Sequence, residues 1–408
     1  MIIPSLAKEK YCTGCLSCID ACSHNAIDIN YVNGLAYVSV NQNCVKCRQC
    51  ERACPIVTPV RKNDVHDMVV YGGWSKDDDI RIKAASGGAF AALALSFFKK
   101  YEGAVVVGAT LENNRVRHIA IERPDEIERL MNSKYIQSNT SGIYKCVKRL
   151  LLSGRYVLFS GTPCQIAGLY GFLGNKRDID NLWTIELVCH GIPGYEALDL
   201  HLKYFRSPHI YSFRDKKEGQ YWYASQRTTI DIDGAPVKIS RAKDVFYRIF
   251  SSWLLDRRSC SNCKYSSIDR VADITLADFW GAPCDEKEFL KGVSLIIANN
   301  AHGNKLILNS NESLHYFESG LESAIKSNSN LYNGYKFIQY HPVVLFPNLF
   351  RKLSSEKLRL AILTNRMPWK LFWACYKIPT MWYAKLKKKN VLKKISNEKD
   401  RNNHNSEG

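Results

Sequence analysis

Along the chain, hydrophobic positions change their period three times. Residues 1–58 carry only short apolar stretches, cut by cysteines into small loops, and the run from Thr58 to Asp64 (TPVRKND) reads as a turn-rich linker. Beyond it, apolar runs of strand length alternate with stretches of helical period. Strands are expected over 68–74, 104–110, 156–160 and 182–188, and helices over 87–101, 124–131, 142–153 and 164–174. That alternation predicts α/β layers. From 209 to 239 aromatic and β-branched runs broken by Gly219 and Gly234 predict antiparallel strands, followed by a helix over 243–255. The longest apolar stretch, 369–384, is interrupted by Lys370, Lys377 and Pro379, which suits a helix lying on a surface better than one crossing a bilayer.

At 408 residues the chain exceeds one ordinary domain, and an apolar share of 46% is normal for a globular core. Three parts are expected: 1–58, 65–310, and a basic, aromatic helical region over 311–408 with a disordered end. Formal net charge is +18, and residues 351–408 hold 15 Lys and Arg against 4 Asp and Glu. The remainder is mildly basic, which argues against nucleic acid as a partner. The tail, with Trp369, Phe372, Trp373, Trp382 and Tyr383 among lysines up to the run from Lys385 to Lys389, suits peripheral contact with an anionic membrane, docking of an acidic partner, or a plain charged surface.

Fifteen cysteines would mean disulfides in a small secreted chain, but this one is large, opens on no apolar signal segment and groups its cysteines at metal-ligand spacings. A reducing, cytoplasmic setting is expected, with membrane association through the tail as the variant. Cys12, Cys15, Cys18 and Cys22 follow C-x2-C-x2-C-x3-C. Cys44, Cys47, Cys50 and Cys54 repeat it, and Pro55 follows. This is the bacterial two-cluster ferredoxin run, whose fourth cysteine ligates the other cluster. The spacing therefore assigns Cys12, Cys15, Cys18 and Cys54 to one [4Fe-4S] cluster and Cys44, Cys47, Cys50 and Cys22 to a second. Ser23 stands where a proline usually follows, and no ligand is lost. Paired zinc sites would use C-x2-C pairs with a longer spacer.

Cys164 and Cys189 lie just after expected strands, where α/β sites collect, and Cys260 and Cys263 form a C-x2-C pair. Spacing alone leaves a third cluster, a zinc knuckle and buried free thiols open. Cys146, Cys284 and Cys375 read as structural. Ser86-Gly87-Gly88 opens an apolar helix, with Ser86 as N-cap and two glycines that let a phosphate approach backbone N–H groups; a plain turn is the alternative. The loop from Ser133 to Ser138 and the strand-to-helix turn at Ser160, Gly161, Thr162 and Gln165 are further candidates to cradle a dinucleotide. Lys134 would place positive charge near a reduced flavin, or is an ordinary solvated lysine.

The ordered series of Ala85-Ser86-Gly87-Gly88, Lys134 to Ser138, Ser160 to Gln165, Cys189-His190-Gly191, Cys260 to Cys263 and Asp273 to Gly281, behind a two-cluster ferredoxin, resembles the beta subunit of coenzyme F-420 hydrogenases and dehydrogenases over about the first 300 residues. The resemblance implies a mixed α/β flavin-binding domain, with FAD exchanging a hydride with a reduced deazaflavin and passing single electrons to iron-sulfur clusters and a redox partner. It sets Ser86, Gly87, Gly88, Lys134, Ser138 and the turn at 160–165 around the flavin, and it favours a third [4Fe-4S] cluster on Cys164, Cys189, Cys260 and Cys263. Asp273 and Asp278 are structural or flavin-proximal on this reading. The competing function is a non-enzymatic iron-sulfur carrier, in which the α/β part only docks the ferredoxin, including a version serving cell-surface polysaccharide synthesis.

Overall fold

The computed structural model describes residues 4–332, apart from 177–178, 217–225, 242 and 254, with isolated positions between 359 and 374. The helix expected over 369–384 falls almost wholly outside the described residues, and the lysine run from Lys385 and Cys375 entirely so. Among the described residues no helix is long and apolar enough to cross a membrane.

The N-terminal module comprises α1 (Ser17–Ala21), β1 (Ile27–Val32), β2 (Leu35–Val40) and α2 (Gln49–Ala53). Asn33 and Gly34, both at positive φ, turn the antiparallel β1–β2 hairpin. The duplicated sequence folds into duplicated backbone. Gly14 and Lys46, two residues after the first cysteine of each run, have φ of 66° and 60°, and Leu16 and Arg48 before each helix have 58° and 59°. Non-glycine residues rarely accept this conformation, and here it curls three cysteines of each run around one point.

The larger domain continues with β3 (Val69–Ser75), α3 (Asp78–Lys83), α4 (Ala89–Lys100), β4 (Val105–Glu112), β5 (Arg115–Ile121), α5 (Ile143–Leu152), β6 (Val157–Gly161), α6 (Pro163–Phe172) and β7 (Leu182–Leu187). After α7 (Tyr195–Tyr204) come β8 (His209–Asp215), β9 (Gln226–Ile230), β10 (Pro236–Ser240) and α8 (Val245–Ser252). The chain then adds β11 (Ile274–Asp278), α9 (Glu286–Lys291), β12 (Ser294–Ala298), α10 (Ala301–Leu308), β13 (Leu314–Ser319) and α11 (Leu321–Ser327). Eight strands form one sheet in the order β13-β3-β12-β11-β7-β6-β4-β5. Its centre, β11-β7-β6-β4, is parallel, and every flanking pair is antiparallel. Helix α4, with Ala91, Ala92, Leu93 and Phe97 fully buried, packs one face, and α5 and α6 pack the other. The parallel strands are mostly apolar and buried because both faces are covered, with Thr184, Glu186 and Thr275 as buried polar positions.

Three points differ from the sequence reading. Strand β5 went unread, although Val116, His118 and Ile119 are buried on it. The sheet runs past residue 310, since β13 pairs with β3 from Leu314↔Ser75 to Ser319↔Val70, so a domain end at 310 would cut off an edge strand. The linker is anchored: Asn63 N donates to Arg270 O (2.8 Å) and its amide donates to Ala272 O (2.7 Å). Strands β8 to β10 make a separate antiparallel sheet, closed by α7 and α8 around Leu198, Phe213, Phe246 and Ile249.

Candidate redox site at the carboxyl edge of the sheet

A cavity of about 310 Å³ opens where the parallel strands β6, β7 and β11 end, the edge at which α/β sheets take ligands. Ser86, Gly88, Lys134, Ser138, Ser160, Gly161, Thr162 and Gln165 line it. Gly87 does not. It lies against the sheet: a Cβ there would stand 2.5 Å from Gly73 O and 2.7 Å from Ser294 N, so this glycine is a close-packing position. Ser86 is not the N-cap either. Its hydroxyl donates to Val293 O (3.0 Å), and Gly88, at φ 82°, caps α4 with no side-chain bond, leaving the first helical N–H groups to the cavity.

A buried network shapes the opposite wall. His118 lies between Ser138 Oγ (2.7 Å from Nδ1) and Ser160 O (2.9 Å from Nε2). The carbonyl accepts only, so Nε2 carries the proton and Nδ1 accepts from Ser138. Burial lowers the imidazole to about 4, which keeps it neutral. Gln165 Oε1 accepts from Thr162 N (2.9 Å) and Thr162 Oγ1 (3.0 Å), and its amide donates to Ser138 O (3.3 Å). Thr162 and Gln165 thus form the N-terminal cap of α6 and bind that turn to the 133–138 loop. His118 was invisible in the sequence, being one residue of an unread strand.

Lys134 is half-buried, with Nζ donating to Arg129 O (3.3 Å) and Met131 O, the open carbonyls that end a short helical turn. Enclosure by the wall lowers its ammonium to about 7, so it is not a solvated surface lysine. Arg214 pairs with Asp278 (2.9 Å) on the lining. Asp273, in contrast, is structural: its carboxylate accepts from Thr184 N (2.8 Å), Thr184 Oγ1 (2.7 Å) and Asn300 Nδ2 (2.9 Å), joining β7 to the start of β11.

Cys164, Cys189, Cys260 and Cys263 all line the same cavity. Cys164 occupies the first turn of α6, Cys189 follows β7, and Cys260 and Cys263 sit at a 3-10 turn over 258–262. Burial raises the Cys164 thiol to about 11, with a further push from Cys263; Cys189 and Cys260 are raised in the same way by burial and by these neighbours. In the ferredoxin module burial raises Cys12, Cys15 and Cys18, and Cys54 adds to each. Cys22, Cys44, Cys47 and Cys50 share a second, small cavity. Ala26 N donates to Cys22 Sγ (3.3 Å) and Lys46 N to Cys44 Sγ (3.4 Å), bonds of the kind that stabilise cluster thiolates. Among the described residues no three His, Cys, Asp or Glu side chains could hold a single metal ion. A cubane spreads its thiolates over separate irons, a wider set than one ion gathers.

The module abuts the cavity. Ser17 Oγ bonds Gly168 O (2.8 Å) and Ala53 O (2.9 Å), Asp20 accepts from Gly142 N (2.6 Å) and Tyr144 N (3.0 Å) at the start of α5, and Thr140 Oγ1 donates to Cys15 O (2.7 Å). Gly168 and Gly171 let α6 approach closely: a Cβ at Gly168 would stand 3.1 Å from Cys15 Sγ, and one at Gly171 2.4 Å from Ala53 O. Four residues of helix, about 6 Å, separate Gly168 from Cys164. Arg257, 2% exposed, bridges the two parts. It donates to Cys12 O (3.1 Å), Ala36 O and Gln137 Oε1 (2.9 Å), while Gln137 Nε2 donates to Thr13 O (2.8 Å) and Gly14 O (3.0 Å). Arg257 did not stand out in the sequence, and Gln137 did so only as one member of the 133–138 loop.

A cysteine-rich two-helix module seated against a cysteine-lined cavity defines an iron-sulfur electron-transfer protein. Three family models match the sequence: the 4Fe-4S dicluster domain over residues 11–57, the N-terminal domain of the coenzyme F420 hydrogenase/dehydrogenase beta subunit over 70–145, and the C terminus of that subunit over 154–319. The chain belongs to the coenzyme F420 hydrogenase/dehydrogenase beta-subunit family, with a 4Fe-4S dicluster domain in front. Among solved structures it is similar to a chain of the F420-reducing [NiFe] hydrogenase complex from Methanosarcina barkeri, at 16% identity and a TM-score of 0.45, over 67% of this chain and 90% of that one. No curated protein matches the sequence.

Proposed function

We propose that this protein is an oxidoreductase that takes a hydride from a small donor of the reduced deazaflavin type at an FAD in the central cavity, and delivers electrons singly through a third [4Fe-4S] cluster and the two ferredoxin clusters to a protein partner. The observation that carries this reading is that one cavity is lined both by the polar turns at 86–88, 133–138 and 160–165 and by Cys164, Cys189, Cys260 and Cys263, and that it reaches Thr13 in the first cysteine loop. Bound there, an FAD would supply the conversion between two-electron and one-electron chemistry.

The residues present suit these groups. The uncapped start of α4 at Gly88 offers N–H groups to a diphosphate, and Lys134 offers a cation to an anionic reduced ring. His118, neutral and bonded on both sides, holds the Ser138 and Ser160 walls in register. Four thiols on one cavity wall suit a cubane, which would take them as thiolates.

Anaerobic purification with iron, sulfide and flavin counted per chain tests the reading. About twelve irons and one FAD are expected, with about eight irons in Cys164→Ser. Bleaching by reduced deazaflavin or NAD(P)H then identifies the donor. About eight irons and no flavin in the wild type would leave a two-cluster carrier and overturn the proposal.

A further inference from the structure

The two cysteine runs have the same spacing and backbone, yet opposite surroundings. In the first, Cys12, Cys15 and Cys18 are buried against α5 and α6, and the residues between the cysteines of 12–22 include no Lys or Arg. In the second, Cys47 is exposed, Val45 is 54% exposed, and residues 44–54 carry Lys46, Arg48 and Arg52 against the single acid Glu51. Glu51 is itself engaged, accepting from Ser5 N and pairing with Arg48 at 2.7 Å. Arg52 lies along the loop, with Nη2 donating to Cys47 O (3.3 Å). Val57, 40% exposed, extends the apolar part of this surface.

We infer that the exposed loop 45–52, with Lys46 and Arg52 beside Val45, is the docking surface for an acidic one-electron carrier protein, and that the chain exchanges electrons with its partner through the second cluster. Electron tunnelling favours the centre with the thinnest protein cover, and burial asymmetry makes that the second one. Charge selects the partner: a positive collar around a small apolar centre steers an acidic protein into register. The chain's own C-terminal region carries the same sign of charge as the loop, so charge gives it no complement there. Each encounter moves one electron and neither makes nor breaks a bond between the proteins; the outer cluster loses one electron, the partner's centre gains one, and a flavin centre takes its proton from solvent.

The inference needs only the dicluster domain, so it is tested without relying on the flavin reading. Holoprotein reduced with dithionite is mixed with an oxidised acidic flavodoxin in a stopped-flow instrument. Between roughly 0.01 M and roughly 1 M salt the Debye length falls from about 30 Å to about 3 Å, and the bimolecular rate should fall at least about tenfold. At low salt, Lys46→Glu with Arg52→Glu should slow the reaction about tenfold at unchanged iron content. Lys203→Glu on α7 with Lys238→Glu on β10, an equal change in net charge outside the loop, should stay within about twofold. Equal slowing by both pairs, or slowing by neither, overturns the assignment. If the Arg52 substitution costs iron, Lys46→Gln alone carries the test, with about threefold slowing expected at low salt and none at high salt.

Discussion

At the scale of single residues, the side chains that act on charge were the hardest to read. Lys134 stood out in the sequence because a polar loop surrounds it, but its proton affinity follows from the wall that encloses it. Its ammonium is lowered from 10.5 to about 7, so between those values the folded chain binds fewer protons than the unfolded one. Stability should therefore rise with pH from about 7 toward 10.5, and Lys134→Met should flatten part of that rise in urea unfolding curves; Lys216, lowered to about 7 by burial and by Arg81 and Arg214, accounts for the same trend in what remains. Arg257 has no motif to announce it, since its partners Cys12, Ala36 and Gln137 lie more than a hundred residues away. A buried guanidinium facing neutral oxygens needs an anion nearby, and a cluster with four thiolates is one. Arg257→Gln should lower the midpoint potential of the cluster assigned to Cys12, Cys15, Cys18 and Cys54, by roughly 60 mV for each tenfold change in its oxidised-to-reduced ratio. A redox titration followed by electron paramagnetic resonance, with iron retained, decides it; an unmoved potential would mean that Arg257 only braces the loop.

At the scale of elements, period and punctuation sufficed where a strand or helix was long and apolar. Strands β3, β4, β6 and β7 and helices α4, α5 and α6 fall within a few residues of their expected bounds. Strand β5 did not, because RVRHIAI mixes exposed arginines with a buried histidine and is held by pairing to β4. The glycines of α6 carried a meaning the sequence could not give. In PCQIAGLYGF the two glycines look merely weakening, yet they are where the ferredoxin module touches. Gly171→Ala puts a methyl against Ala53 O, and neither backbone can retreat cheaply. A loss of about 1–3 kcal/mol is expected in thermal unfolding, together with slower reduction of the ferredoxin clusters from the cavity. Normal stability and kinetics in this variant would show that the helix and module shift apart without consequence.

At the scale of the whole molecule, the ferredoxin module was legible as a 4Fe-4S dicluster domain, because a repeated spacing of two, two and three residues is itself the geometry of a loop around a cube. The larger site was legible only as scattered fragments. Their meeting at one edge depends on strand order, β11-β7-β6-β4, and no local pattern encodes which strands become neighbours. Residue 310 looked like an end for the same reason: the pairing of β13 with β3 spans more than two hundred residues.

The anchored linker bears on how the molecule would behave when cut. Tyr265 OH donates to Pro55 O (2.8 Å), Ser17 Oγ bonds Gly168 O (2.8 Å), and Asp20 crowns α5, so the first sixty residues are held by contacts independent of the peptide bonds that join them to the rest. A protease nick near Arg61 would then leave two fragments that co-elute and still share electrons, as a lock keeps its key after the ring is severed.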